Sequence, residues 1–309
     1  MTGAELSKLF FESVFMPECV KKMPEAIGHF AAGLVGEGSE CFGFDDELSR
    51  DHSFGLRLQI WLTDEDYALY GPGLTSLYAA LPDGLEGFAK PAENPNEGKR
   101  NGVFTVSGFY KGILGIPGVP EQAGHWLAIP EPHFAAAVNG KVFTDSPGVF
   151  TEIRKKLLEH YPEDIQRFFL AQHAAIAAQT GQYNMLRAFR HSEELAVFNI
   201  KARFIQSAIA MVFLLNKVYR PFYKWAPRAM RSLPVFGADM YEKLVRLSCE
   251  TDIRTSCNIV ENICGQLISE MQLQGITEGK SDFLMDHLPH IMGGIKSDDV
   301  RRRGLSMVF

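Results

Sequence analysis

Cysteine is scarce in this chain and follows no pattern. The 309 residues hold five: Cys19, Cys41, Cys249, Cys257 and Cys264. No two have the spacing of a zinc knuckle or a redox pair. An odd, scattered set excludes a disulfide framework and predicts free thiols in a reducing compartment. The first residues, MTGAELSKLFFESVF, lack the basic start, long apolar core and small-residue cleavage site of a signal peptide. The longest apolar-rich run, Ala208 to Leu215, falls short of the ~20 residues that span a bilayer. A cytoplasmic chain without a membrane partner is therefore expected. Positive charge is not in excess either: 31 Lys and Arg stand against 37 Asp and Glu, a formal net charge of −6. That argues against a broad nucleic-acid surface, because such binding is carried by neutralised phosphates. Repeats and low-complexity segments are absent.

What remains is ordinary globular composition, 46% hydrophobic and 22% charged. The length leaves room for one large domain or two of common size. The pattern changes near residue 150. Residues 1–150 mix short strands and helices; residues 151–309 read as helices alone. In the first part, Leu6, Leu9, Phe10 and Val14 predict a helix over 4–15 stopped near Pro17. A short helix over 24–32 should lead into a strand at 33–35. Thr63 with Asp64, Glu65 and Asp66 predicts a capped helix start, interrupted at Gly71-Pro72-Gly73. Residues 82–102 form a Gly-, Pro- and Asn-rich loop, a candidate lid, with Lys99 and Arg100 near its end as possible phosphate contacts. Residues 103–106 read as a strand and 109–114 as a helix. Trp126 to Ile129 reads as a strand running into a helix over 133–138, which Asn139-Gly140 ends. Residues 142–145 give a last strand. In the second part helices are expected over 150–161, 163–179 (closed by Gly181), 192–218, 222–232, 238–250 and 252–274. The third should be largely buried, because its apolar residues cover more than one face.

The stretch around which the rest is organised is LVGEGSECFGFDDELSRDHSFGLRLQIWL, residues 34–62. Gly36-Glu37-Gly38-Ser39 can cradle a phosphate: glycine lets backbone N–H groups approach an anion and the serine hydroxyl adds a donor. Asp51 follows Ser39 by twelve positions and stands at the mouth of a run in which Leu56, Leu58, Ile60 and Leu62 alternate with Arg57, Gln59 and Trp61. Such alternation predicts a strand with one buried face. Asp51 and Ser53 share a face and His52 takes the other. A carboxylate there can hold Mg²⁺, which takes oxygen ligands and shares them with substrate phosphates. Asp45, Asp46 and Glu47 form either a solvated acidic loop or a source of a further ligand.

These residues carry a resemblance. Gly38-Ser39 followed by Asp51 is similar to the glycine-serine and aspartate-x-aspartate signature of the polymerase-β-like nucleotidyltransferase superfamily. The string GFDDELSRDHSFG resembles domain-of-unknown-function family 4037, as do HWLAIPE, NGKVFTD, HYPEDI, TGQYN and VYRPFYKWAPRAM further on. The resemblance implies an α+β protein: a nucleotidyltransferase core with a small mixed sheet, then a helical bundle, with the nucleotide between them. It implies Mg²⁺-dependent transfer of a nucleoside monophosphate, AMP from ATP or another NTP, to a hydroxyl of an unidentified small-molecule or protein acceptor. Asp51 would bind the metal with help from Asp46; Gly38, Ser39 and Ser53 would bind nucleotide. A third carboxylate would act as general base, with Glu131 preferred and Asp145 the alternative. In the helical half, Lys224 would reach the triphosphate, Arg220 would share that task, and Gln182, Tyr183 and Asn184 would line the cleft, Tyr183 stacking on a base. One position departs from the pattern. The superfamily has a carboxylate where this chain has Ser53, which makes a nucleotide-binding or scaffold protein without catalysis the alternative.

Overall fold

The computed structural model describes residues 1–47, 54–91 and 99–305. Asp51, His52 and Ser53, and much of the loop before Lys99, lie outside the described residues. The fold is α+β, with a small mixed sheet in the first part and helices alone in the second. The chain divides into two compact units, residues 1–121 with 129–159 and residues 122–128 with 160–309.

In the first unit the elements run α1 (Gly3–Phe10), a π turn (Phe11–Phe15), α2 (Met16–Lys22), a 3₁₀ turn (Pro24–Ala26), β1 (Ala31–Leu34), α3 (Ser39–Phe42), β2 (Gln59–Leu62) and α4 (Asp64–Ala79). A two-residue hairpin follows, β3 (Gly84–Leu85) and β4 (Phe88–Ala89), then β5 (Gly102–Thr105) and α5 (Val106–Leu114). After α6 (Ala123–Ala128), which belongs to the second unit, come α7 (Glu131–Val138), β6 (Lys141–Asp145) and α8 (Val149–Leu158). The sheet order is β5-β2-β1-β6. β1 is antiparallel to both β2 and β6, and β2 is parallel to β5.

The run before and through β2 is not half-buried as its alternation suggests. Every residue from Gly55 to Leu62 is buried, and only the last four are strand. Both faces of the sheet are covered. Leu56, Leu58, Ile60 and Leu62 join Leu6, Phe10, Phe15, Leu74 and Leu77 in one apolar cluster. On the other face Trp61 stacks on Phe150 at 4.0 Å and meets the edge of Phe109 at 5.3 Å. The two polar members are buried because each is satisfied: Gln59 accepts from Val35 N–H at 2.8 Å and donates to the Arg100 carbonyl at 2.9 Å, and Arg57 pairs with Glu40.

Several local expectations are corrected by packing. Pro17 does not stop the helical run; the chain passes from α1 through the π turn into α2, with Pro17 just after that turn, where the regular ladder is already interrupted. The helix expected over 24–32 is only a 3₁₀ turn, and the strand begins earlier, at Ala31. α4 runs unbroken through Pro72, held at its start by Thr63, whose Oγ1 accepts from Asp66 N–H at 3.0 Å. Trp126 to Ala128 is helix, not strand, so Glu131 opens α7 directly rather than ending a strand.

The second unit contains α6, α9 (Glu163–Ala177), a π turn (Ala178–Asn184), α10 (Met185–Arg190), α11 (Glu194–Leu215), α12 (Ala226–Met230), α13 (Gly237–Cys249), α14 (Ile253–Leu273), α15 (Leu288–Gly293) and α16 (Asp298–Arg302). Gly181 does not close α9. It lies inside the π turn, where an added Cβ would stand 2.4 Å from the Phe204 ring, so only glycine permits this approach to α11. The burial expected of α11 holds for its second half, from Phe204 to Leu215, whereas Leu195 and Phe198 in its first half are exposed. By length and composition α11 is the one helix among the described residues apolar enough to cross a membrane, and half of its most apolar window is buried within the protein. All five cysteines are free thiols.

His160 combines a strained backbone with a buried ring. Its backbone is left-handed, with φ +72°, and its ring lies 4.6 Å from those of both Tyr161 and Tyr219. Neither ring nitrogen has a hydrogen-bond partner among the described residues. Burial, and secondarily Lys217, pushes its pKa down to about 3. His173, with a shielded Nδ1, moves to about 3 for the same first reason, with Arg220 second. A histidine in the unfolded chain takes a proton near pH ~6.5. Each buried ring therefore contributes stability fully present above that pH and lost as pH falls toward about 3. The slope is about 1.4 kcal/mol per pH unit for each ring once well below ~6.5. The urea midpoint should fall between neutral and mildly acidic pH, and His160→Asn, which tolerates the left-handed backbone, should flatten the fall. Equal slopes for the two proteins would contradict this account.

Candidate functional site

The Gly36–Ser39 turn leaves the end of β1, and its shape is set by side chains from four places in the first unit. Asn139, at the end of α7, brackets Gly36: its Oδ1 accepts from Gly36 N–H at 2.8 Å and its Nδ2 donates to the Gly36 carbonyl at 2.6 Å. Arg154 of α8 donates to the Asn139 carbonyl and, at 3.3 Å, to that of Gly140. Gly140 itself has φ +67°, donates to the Cys41 carbonyl at 2.8 Å, and would drive a Cβ to 2.0 Å from the Leu34 carbonyl oxygen. Gln59 holds Val35.

Arg57 holds the far side. Its side chain is 2% exposed and that of its partner Glu40 is 7% exposed. Nη1 also donates to the Glu37 carbonyl at 3.2 Å, and Nε to Asn101 Oδ1 at 3.2 Å. Gly38 has φ +127°, and a Cβ there would meet the Glu40 carboxylate at 2.5 Å. The turn is thus closed from behind by a buried carboxylate that a guanidinium neutralises. Glu37 points outward and pairs with Arg100 at 2.7 Å. Cys41 is no nucleophile here, since burial pushes its thiol up to about 12.

Asp45 and Phe54 both reach this corner. Gly3 N–H donates to Asp45 Oδ2 at 2.7 Å, and the Cα of Gly3 faces both Glu40 and the Phe54 ring. Asp45 Oδ1 is shielded and has no hydrogen-bond partner among the described residues. A shielded carboxylate oxygen of that kind suits a hard cation. It is a single ligand, and among the described residues no three His, Cys, Asp or Glu side chains converge on a metal position. Asp46, the acid favoured on sequence, is exposed.

Residues 126–226 match a family model described as domain of unknown function, DUF4037. About a third of the chain is covered. No curated protein and no solved structure matches the chain. The DUF4037 stretch includes Asn139, Gly140 and Arg154, which brace the turn, and the HYPEDI, TGQYN and VYRPFYKWA segments. Gly38, Ser39 and Asp51 precede it.

The other residues singled out by sequence fall as follows. Asp145 ends β6, opposite Ala31, while the turn leaves β1 after Leu34; three residues of strand separate them, roughly 10 Å. Both Asp145 oxygens are engaged, by Gly148 N–H at 2.9 Å and Thr151 N–H at 2.7 Å. Glu131 opens α7, and Asn139, which holds the turn, follows the other end of that helix, roughly 12 Å away at the α-helical rise. The side chains seen to reach the turn are Asn139 on Gly36, Arg57 on the Glu37 carbonyl and Arg100 on the Glu37 carboxylate. In the second unit Lys224 is exposed, with its ammonium 4.8 Å from the Trp225 ring. It sits in a turn rather than on a helix, since α12 starts only at Ala226, and Phe222 is exposed. Arg220 donates to the Gln206 carbonyl at 3.4 Å. Tyr183 is half exposed beneath the Arg187 guanidinium. Gln182 is used structurally, donating to Glu261 at 2.7 Å and accepting from Leu284 N–H at 2.9 Å.

Proposed function

We propose that this chain is a nucleotidyltransferase of the polymerase-β-like superfamily. It binds a nucleoside triphosphate at the Gly38-Ser39 turn and passes a nucleoside monophosphate, AMP from ATP, to a hydroxyl of a small molecule or protein, releasing pyrophosphate. The observation that supports this reading is the bracing of the turn. β1 runs into it, Asn139 and Arg57 bond its backbone, and Arg154 holds the Asn139 carbonyl in turn. No described acceptor takes the N–H groups of Glu37, Gly38 or Ser39. A rigid concavity of N–H groups is what an anion needs, and phosphoryl transfer is mainly positioning and charge stabilisation.

The chain's own residues then have defined tasks. Gly38 lets backbone and phosphate approach closely. The Ser39 hydroxyl donates to a phosphate oxygen. Arg57 cancels the charge of Glu40 behind the turn, which would otherwise repel the nucleotide. Arg100 exchanges Glu37 for phosphate, a swap that suits the guanidinium fork. Asp51 would hold Mg²⁺, with Asp45 as a further oxygen ligand, and the bound metal would offset the charge on the transferring group. ATP titration by calorimetry should give roughly ten-fold weaker binding for Ser39→Ala and for Arg100→Ala, the loss of one charge-assisted contact each. Unchanged affinity in both would remove the nucleotide from this turn.

The second reading, a nucleotide binder that does not transfer, is favoured by Ser53 in place of a carboxylate. The two readings separate on Ser53→Asp: pyrophosphate release gained only in that variant supports the silent binder, and release by the wild-type protein supports the transferase.

A further inference from the structure

A depression of mixed polar and apolar lining lies wholly within the second unit and holds about 610 Å³. The π turn gives it Thr180 and Asn184, α10 gives Arg187, the following turn gives His191, and α11 gives Asn199 and Arg203. Its shape follows from two backbone features. The close approach at Gly181 seats the π turn against α11. Ser192, with φ +58°, makes the tight reversal from α10 to α11, closed by Glu193 N–H on the Ala188 carbonyl at 3.1 Å. π turns interrupt the regular helical ladder and recur at functional sites.

Two guanidiniums and an imidazole line this depression against one carboxylate, Glu193. The arginine fork matches the geometry of a phosphate, and the asparagine amides add neutral donors. The volume exceeds what inorganic phosphate fills and falls in the range of small-molecule sites. Ala188, Ala196 and Ile200 supply an apolar wall. Tyr183, next in the chain to the lining residue Asn184, is half exposed, and its ring lies 5.0 Å from the Arg187 guanidinium; such a ring can stack on a planar group. We infer that the second unit binds an organic phosphate with a planar apolar group at Arg187 and Arg203, with Tyr183 as the stacking face. Every residue of this site lies in the DUF4037 stretch, and none belongs to the Gly38-Ser39 turn.

The probe is phenyl phosphate, compared with inorganic phosphate by calorimetry on the full chain. Phenyl phosphate should bind roughly ten-fold more tightly than inorganic phosphate, as stacking adds to the charge-assisted contacts. The double variant Arg187→Ala/Arg203→Ala should weaken it by roughly two orders of magnitude, while Ser39→Ala leaves it unchanged. A second readout needs no variant: phenyl phosphate should protect His191, mapped by mass spectrometry, from diethyl pyrocarbonate and leave the exposed His290 reactive. Undiminished binding by the double variant with His191 unprotected overturns the inference, as does failure of the wild-type protein to bind. Loss of binding in Ser39→Ala but not in the arginine pair overturns it too, while leaving the nucleotide reading of the turn intact.

Discussion

Arg57→Met is expected to destabilise the first unit by roughly 3–5 kcal/mol, the usual cost of removing one partner from a buried ion pair. The reason is the charge left behind. Glu40 is buried beneath Gly38, and Arg57 is the cation paired with it. Without the guanidinium the carboxylate must take a proton or pull the turn apart toward water. Lysine should not rescue it. The fork reaches Asn101, the Glu37 carbonyl and Glu40 together, and an ammonium on a flexible stem cannot reproduce that geometry. The double variant Glu40→Leu/Arg57→Met should recover much of the loss, because replacing both partners by apolar groups removes the desolvation penalty. Urea denaturation followed by circular dichroism of the four proteins measures the coupling. A double variant no more stable than the sum of its single changes would mean that the pair is not a coupled unit.

Trp61→Ala is the second large effect, about 3–5 kcal/mol, the range for emptying a large core aromatic site. Trp61 is fully buried where two faces of packing meet: Phe150 stacks on it and Phe109 meets it edge-on. Its loss opens a void in the layer that holds α5 and α8 against the sheet. The thermal midpoint should drop by roughly 10 °C or more for a unit of this size. Trp61→Phe should cost less than half as much. It keeps the stack, and it deletes an indole N–H that is buried without a hydrogen-bond partner among the described residues. If alanine and phenylalanine cost the same, the stack is not what holds this layer.

These two residues also show what the sequence makes legible. The alternation from Leu56 to Leu62 reveals a strand, because period two is a property of the local chain. It does not reveal that both faces are covered. Arg57 and Gln59 look like solvent-facing residues until Glu40, Val35 and the Arg100 carbonyl are seen to satisfy them, and those partners are brought in only by the tertiary fold. Trp126 to Ile129 fails differently: a short apolar run fits helix and strand equally. Pro72 and Gly181 look locally like breaks. The first is carried by a helix already capped at Thr63, and the second is required by the contact with Phe204.

The candidate site was legible in part. Gly38 and Ser39 stand out only through their spacing to Asp51, because glycine beside serine is also an ordinary turn pair. The residues that brace them do not. Asn139-Gly140 looks like a helix terminator, which it is, and nothing local says that Asn139 also grips Gly36, 103 positions earlier. Acids are the natural candidate bases, yet Asp145 is spent capping the approach to α8. Arg100, named from its loop position alone, does reach the turn.

The central claim is that a nucleoside triphosphate binds at this turn through Asp51 and Mg²⁺. The most direct test is calorimetric titration of ATP into the wild-type protein and Asp51→Ala, each with Mg²⁺ and with EDTA. The account predicts binding to the wild-type protein with Mg²⁺, lost in EDTA and lost in Asp51→Ala. Binding that survives both changes, or no binding to the wild-type protein under any of these conditions, would contradict it.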